Sequence, residues 1–293
     1  MRSLFLVNPT AHRVATRGSA LVAVADMTGT PLKLLDGPIE PTGSADRIYI
    51  EGGDGTVANV ISAWLRSGNA LPEFALVKGG TTNQVAGLIG LRRRTVKRIS
   101  ASLTQALEPI HTRMLKVVAD GTAHYGFVMS TGAIPKVTET LESYRGPGGL
   151  SGAGLVTRAI VDATKPGSEL LEATPAKLSA DLDGEHIVID APHLGTLMTT
   201  LPSLYLGLDP FWGTQSGSIR TTYAQGDAEG LVPTILGQWV GRRDTRKLRR
   251  RGFQSFNAEA LEIETDAPVI LDGDPVEGHH FVITPTDPVT FVR

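Results

Sequence analysis

The stretch Arg47-Ile48-Tyr49-Ile50-Glu51-Gly52-Gly53-Asp54-Gly55-Thr56 decides the fold. Residues 47–50 read as a strand. Beyond the glycines, Val57, Val60, Ile61, Trp64 and Leu65 recur at i, i+3, i+4, i+7 and i+8, one apolar stripe of a helix that Ser67-Gly68-Asn69 stops. The glycines therefore join a strand end to a helix N-terminus, where several backbone N–H groups with no Cβ in front of them point outward. That is a phosphate cradle in physical terms. Gly79-Gly80-Thr81-Thr82-Asn83-Gln84 repeats the arrangement after a strand at 74–77, and Asn8-Pro9-Thr10 follows a strand at 4–7. Three strand ends thus carry polar or glycine loops on one rim of a sheet, the rim at which open α/β sheets bind ligands.

Working outward, an exposed or edge strand is expected at 31–35. A second helical stripe, Val96, Ile99, Leu103 and Leu107, is closed by Glu108-Pro109. From about Arg113 strand signals dominate. Segments 114–118 and 124–129 around Asp120-Gly121, and 176–182 and 185–189 around Asp183-Gly184, read as hairpins. Further strands are expected at 196–201, 218–223, 260–264, 269–271, 280–284 and 289–292, interrupted by helical patterns at 134–143, 154–163 and 228–240. This is an α/β first domain, a boundary near residue 112 and a mainly antiparallel second domain.

Composition removes whole classes of function. The 293 residues include no cysteine, so disulfides, thiolate metal sites and thiol nucleophiles are excluded, and the cytosol is the default compartment. The apolar run at 4–7 is too short for a signal peptide. The uncharged run 191–208 is broken by Pro192, Pro202 and two glycines, so no transmembrane helix is expected. With 28 Lys and Arg against 30 Asp and Glu, the whole molecule has no net attraction to nucleic acid. Two basic clusters do exist: Arg92, Arg93, Arg94, Lys97 and Arg98, and the denser run 242–251. The histidines are scattered and are assigned no metal.

The usual glycine motifs are missing. No G-x-x-x-x-G-K-[ST] loop occurs, and no G-x-G-x-x-G follows the first strand. The glycines at 149–154 lack the spacing of a nucleophile elbow. By contrast Asn8-Pro9-Thr10-Ala11, Gly52-Gly53-Asp54-Gly55-Thr56, Gly79-Gly80-Thr81-Thr82-Asn83-Gln84-Val85-Ala86 and the late Asp272-Gly273-Asp274 resemble, in order and spacing, the motif set of the diacylglycerol-kinase catalytic superfamily, which includes sphingosine, ceramide and bacterial lipid kinases. The first glycine motif is shared with NAD kinases, and the second is characteristic of the lipid branch. The resemblance implies a Rossmann-like α/β nucleotide-binding domain at 1–112 and a β-sandwich-like lipid-substrate domain at 113–284. It further implies an active cleft between them and a tail, about 285–293, that returns to the first domain. ATP and Mg²⁺ are the implied cofactors. The implied partner is a lipid at a membrane surface, met by a cytoplasmic, peripherally associated protein. No nucleic-acid partner is expected, and a homodimer is left open.

Phosphoryl transfer needs backbone donors on the triphosphate, Mg²⁺ to offset its charge, and a carboxylate to accept the proton of the attacking hydroxyl. In these roles Gly52, Gly53, Gly55, Thr56, Gly79, Gly80 and Thr81 are expected to cradle phosphates, and Asn8, Thr10 and Asn83 to contact the nucleotide. Asp54 is expected to act on Mg²⁺ or a phosphate-bound water. Asp272 is the candidate general base, with Asp274 orienting it or the metal.

The chain departs from the family pattern in three places. Gln84 stands for the usual Asp, Asp274 for the usual Glu, and Gln215-Ser216-Gly217 for an Asp-Asp-Gly turn tied to a structural metal in some bacterial members, so that metal is not expected. The apolar and aromatic stretch 201–212 suits either an acyl chain beside the cleft or the sandwich core. The expectation is an ATP-dependent kinase of a lipid hydroxyl on diacylglycerol, ceramide or a sphingoid base. The alternatives are a kinase of a soluble acceptor such as NAD, and a nucleotide-binding relative without catalysis.

Overall fold

The computed structural model describes residues 1–41, 44–80, 83–88, 90, 95–135, 172–204, 209–229 and 244–293. The chain divides into two compact units, the first made of residues 1–114, 201–205 and 286–293, the second of residues 115–200 and 206–285.

In the first unit β1 (Ser3–Val7), β2 (Leu32–Leu34), β3 (Arg47–Gly52) and β4 (Glu73–Lys78) run parallel. The C-terminal strand β18 (Val289–Val292) pairs parallel to β4 and antiparallel to β5 (Pro109–Thr112), giving the order β2-β1-β3-β4-β18-β5. Every residue of β3 is buried, as expected for a central parallel strand covered on both faces. Phe5, Tyr49, Ala75, Val77, Ile99 and Val292 pack one face with Leu21 and Val24. On α3 (Asp54–Ser67), Trp64 meets Phe74 edge to face with ring centroids 6.3 Å apart. Gly68 ends α3 in the left-handed conformation that glycine adopts without penalty.

The first connection holds two helices that the apolar pattern does not announce, α1 (His12–Arg17) and α2 (Ala20–Thr28). The helix expected through Leu107 is shorter: α5 is Val96–Ser102, after the brief α4 (Gln84–Leu88). The reason is Arg47. Its buried guanidinium donates to the carbonyls of Ser102 (2.9 Å) and Gln105 (3.4 Å) while pairing with Glu73 at 2.7 Å. The carbonyls that end α5 therefore already have a partner, and the chain turns toward β5.

The second unit holds two six-stranded sheets, antiparallel at every pairing. One sheet orders β6 (Leu115–Ala119), β7 (Thr122–Gly126), β9 (Ala176–Leu182), β10 (Glu185–Asp190), β14 (Ala260–Thr265) and β17 (His280–Pro285) as β10-β9-β14-β17-β6-β7. The other orders β8 (Val128–Thr131), β11 (His193–Thr199), β12 (Ile219–Gln225), β13 (Phe253–Ala258), β15 (Val269–Leu271) and β16 (Asp274–Pro275) as β13-β12-β11-β8-β15-β16. Their inner faces share one core, including Leu115, Val117, Leu178, Ile263 and Phe281 from the first sheet and Met129, Met198, Tyr223, Phe256 and Leu271 from the second. That is a β-sandwich.

Asp120-Gly121, Asp183-Gly184 and Asp272-Gly273 each carry two positive φ angles, the type I′ geometry that matches strand twist. The strand expected at 124–129 is in fact two strands in different sheets. Both carboxylate oxygens of Asp272 accept backbone N–H groups at the break, from Phe127 at 2.9 Å and Val128 at 2.8 Å. β13 and the helix α6 (Thr245–Arg250) were not anticipated, and β11 begins at His193 rather than Thr196. Residues 136–143, 154–163 and 230–240 of the expected helical patterns lie outside the described residues, as do the glycines at 149–154 and Arg92 to Arg94. Among the described residues no helix is long and apolar enough to cross a membrane.

Candidate nucleotide site

The two glycine turns are in direct backbone contact. Gly79 and Gly80 both donate their N–H to the carbonyl of Gly52, at 2.9 and 3.0 Å. A Cβ on Gly79 would stand 2.8 Å from the Gly52 nitrogen, and one on Gly80 would stand 2.5 Å from Gly53 Cα. Neither position admits a side chain unless the turns separate, so these glycines are there for close approach. Asn83 locks the second turn from inside. It is buried in a left-handed conformation, its Oδ1 accepts from Gly80 N at 3.0 Å, and its Nδ2 donates to Gly80 O at 2.6 Å.

The loop after β1 closes the third side. Asn8 Nδ2 donates to Thr56 Oγ1 at 2.9 Å, and Asn8 Oδ1 accepts from both the amide (3.0 Å) and the hydroxyl (2.8 Å) of Thr10. The Arg13 amide donates to Gly79 O at 2.8 Å. Three sequence-distant loops are thus cross-linked around the N-terminus of the 14-residue helix α3, whose first-turn N–H groups have no intrahelical acceptor.

A cleft of about 490 Å³ opens there. Asn8, Thr10, Gly53, Gly55, Thr56 and Gly80, all expected at the nucleotide, line it. So do residues that motif reading passed over: His12, Leu35, Gly37, Ile39 and Asn59. Asn59 sits one helical turn after Thr56, a spacing that places both on one face of α3 and was available as a signal. The apolar Leu35 and Ile39 come from the β2–β3 connection, where no periodicity marks them. Gly52, Gly79 and Asn83 shape the turns from below. Thr81 lies outside the described residues.

Asp54 Oδ1 accepts the Val85 N–H at 2.9 Å, so the carboxylate caps α4 and ties the first glycine motif to the end of the second. Glu51, just before the glycines, belongs to none of the motifs. It is buried and accepts from Ser19 Oγ (2.5 Å), Ala20 N (3.0 Å) and Leu21 N (3.0 Å), filling the N-terminus of α2 with the chain's own carboxylate. The N-terminus of α3, by contrast, has no side-chain cap.

Asp272 and Asp274 belong to the second unit. Asp272 is held by the two amides of Phe127 and Val128, while Asp274 is exposed on β16, paired with Leu271. In the Gln215-Ser216-Gly217 turn, Ser216 donates through N (3.0 Å) and Oγ (2.5 Å) to Asp183, and these bonds hold that carboxyl below its usual range. Within the stretch 201–212, Phe211 is buried beneath the Arg220 guanidinium, 4.9 Å from the ring centre, and Arg220 pairs with Asp209 at 2.7 Å. Residues 205–208 lie outside the described residues. No group of three or more His, Asp or Glu placed to hold a metal occurs among the described residues.

Residues 39–115, less than half of the chain, match the family model of the diacylglycerol kinase catalytic domain. Among solved structures the chain is similar to a diacylglycerol kinase from Bacillus anthracis (TM-score 0.60, 15% identity, 99% of this chain and 96% of that one). It is also similar to a putative diacylglycerol kinase from the same organism (TM-score 0.63, 14% identity, 99% and 95%). A third likeness is to an NAD kinase from Archaeoglobus fulgidus in complex with ATP (TM-score 0.53, 12% identity, 99% and 93%). No curated protein matches. Residues 39–115 thus carry the match to the diacylglycerol kinase catalytic domain, and the whole chain shares the fold of these solved structures.

Proposed function

We propose that this chain, with a diacylglycerol kinase catalytic segment over residues 39–115, is an ATP-dependent lipid kinase that transfers a γ-phosphate to a hydroxyl of diacylglycerol, ceramide or a sphingoid base. The observation that carries the reading is the cleft in which Gly53, Gly55, Thr56 and Gly80 face Asn8 and Thr10. Backbone donors at a helix N-terminus, free of side chains, suit phosphate oxygens, and the apolar Leu35 and Ile39 suit a base.

In this reading the turns hold the triphosphate by their N–H groups, and rigidity comes from the Gly52–Gly79–Gly80 contacts and the Asn83 clasp. Asp272 accepts the proton of the attacking hydroxyl while the Phe127 and Val128 amides fix its carboxylate, and Asp274 stands beside it on the same turn. Asp54 is the carboxylate of the nucleotide turn, with one oxygen taken by Val85. Asp54, together with the phosphates themselves, would hold a magnesium ion, which when bound would offset the negative charge on the transferring phosphoryl group.

The likeness to an NAD kinase that binds ATP supports a second reading, a soluble acceptor such as NAD. Gln84, which stands for a usual Asp, and Asp274, a shorter carboxylate in place of Glu, support a third, nucleotide binding without turnover.

The experiment is transfer of labelled γ-phosphate from ATP with Mg²⁺ to diacylglycerol, ceramide, sphingosine and NAD in mixed micelles, with Asp272→Asn beside the wild type. A labelled lipid that vanishes in the variant supports the proposal. Labelled NAD alone supports the second reading. Nucleotide binding with no labelled acceptor supports the third.

A further inference from the structure

The basic run at 242–251 is a feature that the kinase chemistry leaves unused. Its described part forms α6, capped where the Asp244 side chain accepts from Lys247 N at 3.1 Å, and only Leu248 of the helix is buried. Leu248 packs with Leu194, Ala224 and Phe253, and the half-buried Trp212 rests against the same cluster. Tyr223 points into the sandwich core, so its neighbour Ala224 points the other way. The helix therefore lies on the outer face of the second sheet.

At about 100° per residue, Arg246, Lys247, Arg249 and Arg250 spread over the arc opposite Leu248. All four are exposed. Among the described residues neither they nor Arg251 has an acidic partner within ion-pair distance; Asp244 is occupied as the cap, and Asp227 and Glu229 on the preceding turn pair with none of them. Cations in the last turn gain from the helix dipole, but Arg246 stands in the first turn, where the dipole opposes it. Arg246 with Arg250, and Lys247 with Arg251, are like-charge i, i+4 pairs that destabilise an isolated helix. A surface that keeps this repulsion is relieved by an anionic partner.

We infer that this face of α6 docks the protein on an anionic lipid bilayer. The extent of the patch favours a bilayer over a nucleic acid. The patch is compact, a six-residue helix about 9 Å long, which suits a lipid surface better than a phosphate track. The inference extends the lipid-kinase reading by naming the surface through which the acceptor's membrane is met, but docking is measurable without nucleotide or turnover. Failure of one is therefore distinguishable from failure of the other.

The test is co-sedimentation of the full chain with vesicles of phosphatidylcholine alone and of phosphatidylcholine with phosphatidylserine. The wild type is compared with a variant carrying Arg246→Gln, Lys247→Gln, Arg249→Gln and Arg250→Gln. At roughly fivefold in affinity per basic residue, the variant is expected to bind phosphatidylserine vesicles at least a hundredfold more weakly, and added salt to weaken the wild type. The single reversal Arg249→Glu, which leaves Leu248 and the cap intact, is expected to lose at least tenfold, and equal thermal midpoints verify the fold. Binding that ignores phosphatidylserine, binding unchanged in both variants, or a tighter complex with duplex DNA than with anionic vesicles overturns the inference.

Discussion

Replacing Gly55 with alanine separates fold from function at the cleft. Gly55 lies in the first turn of α3 and lines the cleft, and a Cβ built on it meets no atom within 4 Å. Alanine is the better helix former by up to about 1 kcal/mol, so the substitution is expected to leave the thermal midpoint unchanged or raise it by a few degrees. The added methyl points into the space assigned to phosphate oxygens. Denying one charge-assisted hydrogen bond costs about 1.5–3 kcal/mol, or roughly 10- to 150-fold in ATP affinity. Gly80→Ala provides the contrast. Its Cβ would sit 2.5 Å from Gly53 Cα, so the turns must separate, at about 1–3 kcal/mol of overpacking strain, and both stability and affinity are expected to fall. Calorimetric titration with ATP beside thermal unfolding reads both. If Gly55→Ala binds ATP within twofold of the wild type, the phosphates do not lie against that turn and the assignment is wrong.

Three further outcomes follow from named contacts. Asp54→Asn keeps an oxygen for the Val85 amide and is expected to unfold like the wild type while losing phosphoryl transfer, whereas Asp54→Ala also loses about 1 kcal/mol of capping, measurable by denaturant titration. Tyr49→Phe removes the hydroxyl that meets Ser102 Oγ at 2.9 Å inside the first unit and is expected to cost about 1 kcal/mol in the same assay without changing ATP affinity. His193 is fully buried, stacked on Tyr223 and bonded to Thr131 and Thr174, and burial holds its pKa below the usual value of 6.5. The unfolded chain therefore takes up the proton first. This contribution to stability is complete above about pH 6.5 and is lost as pH falls toward the folded-state pKa, at about 1.4 kcal/mol per pH unit over that window. Unfolding titrations down the acid range should show a steeper loss in the wild type than in His193→Gln, and parallel curves would remove His193 as the cause.

Much of the first unit is legible because its signals are local. The strand before Gly52, the stripe from Val57 to Trp64 and the glycine pairs each specify their own conformation. The Asp-Gly turns at 120, 183 and 272 are legible for the same reason, since their side chains and missing Cβ atoms set the backbone. What escapes is whatever a distant partner decides. α5 stops short because Arg47, far away in sequence, takes the carbonyls of Ser102 and Gln105. The strand through 124–129 breaks because Asp272 binds two of its amides. Of the residues that the motifs name, Gly53, Gly55, Gly80, Asn8, Thr10 and Thr56 line the cleft. The motifs do not name Glu51, whose partners lie some thirty residues earlier, and Asn83, named for the nucleotide, bonds the Gly80 peptide. Leu248 shows which side of the basic helix is fixed, which the charge run alone does not.

Hydrogen–deuterium exchange with and without saturating ATP and Mg²⁺ addresses the claim that the paired glycine turns hold the triphosphate. The account predicts slowed exchange at the amides of Gly53 to Thr56 and Gly80, with the sandwich strands β9 and β10 unchanged. Saturable ATP binding that leaves those amides untouched and protects residues elsewhere would contradict it.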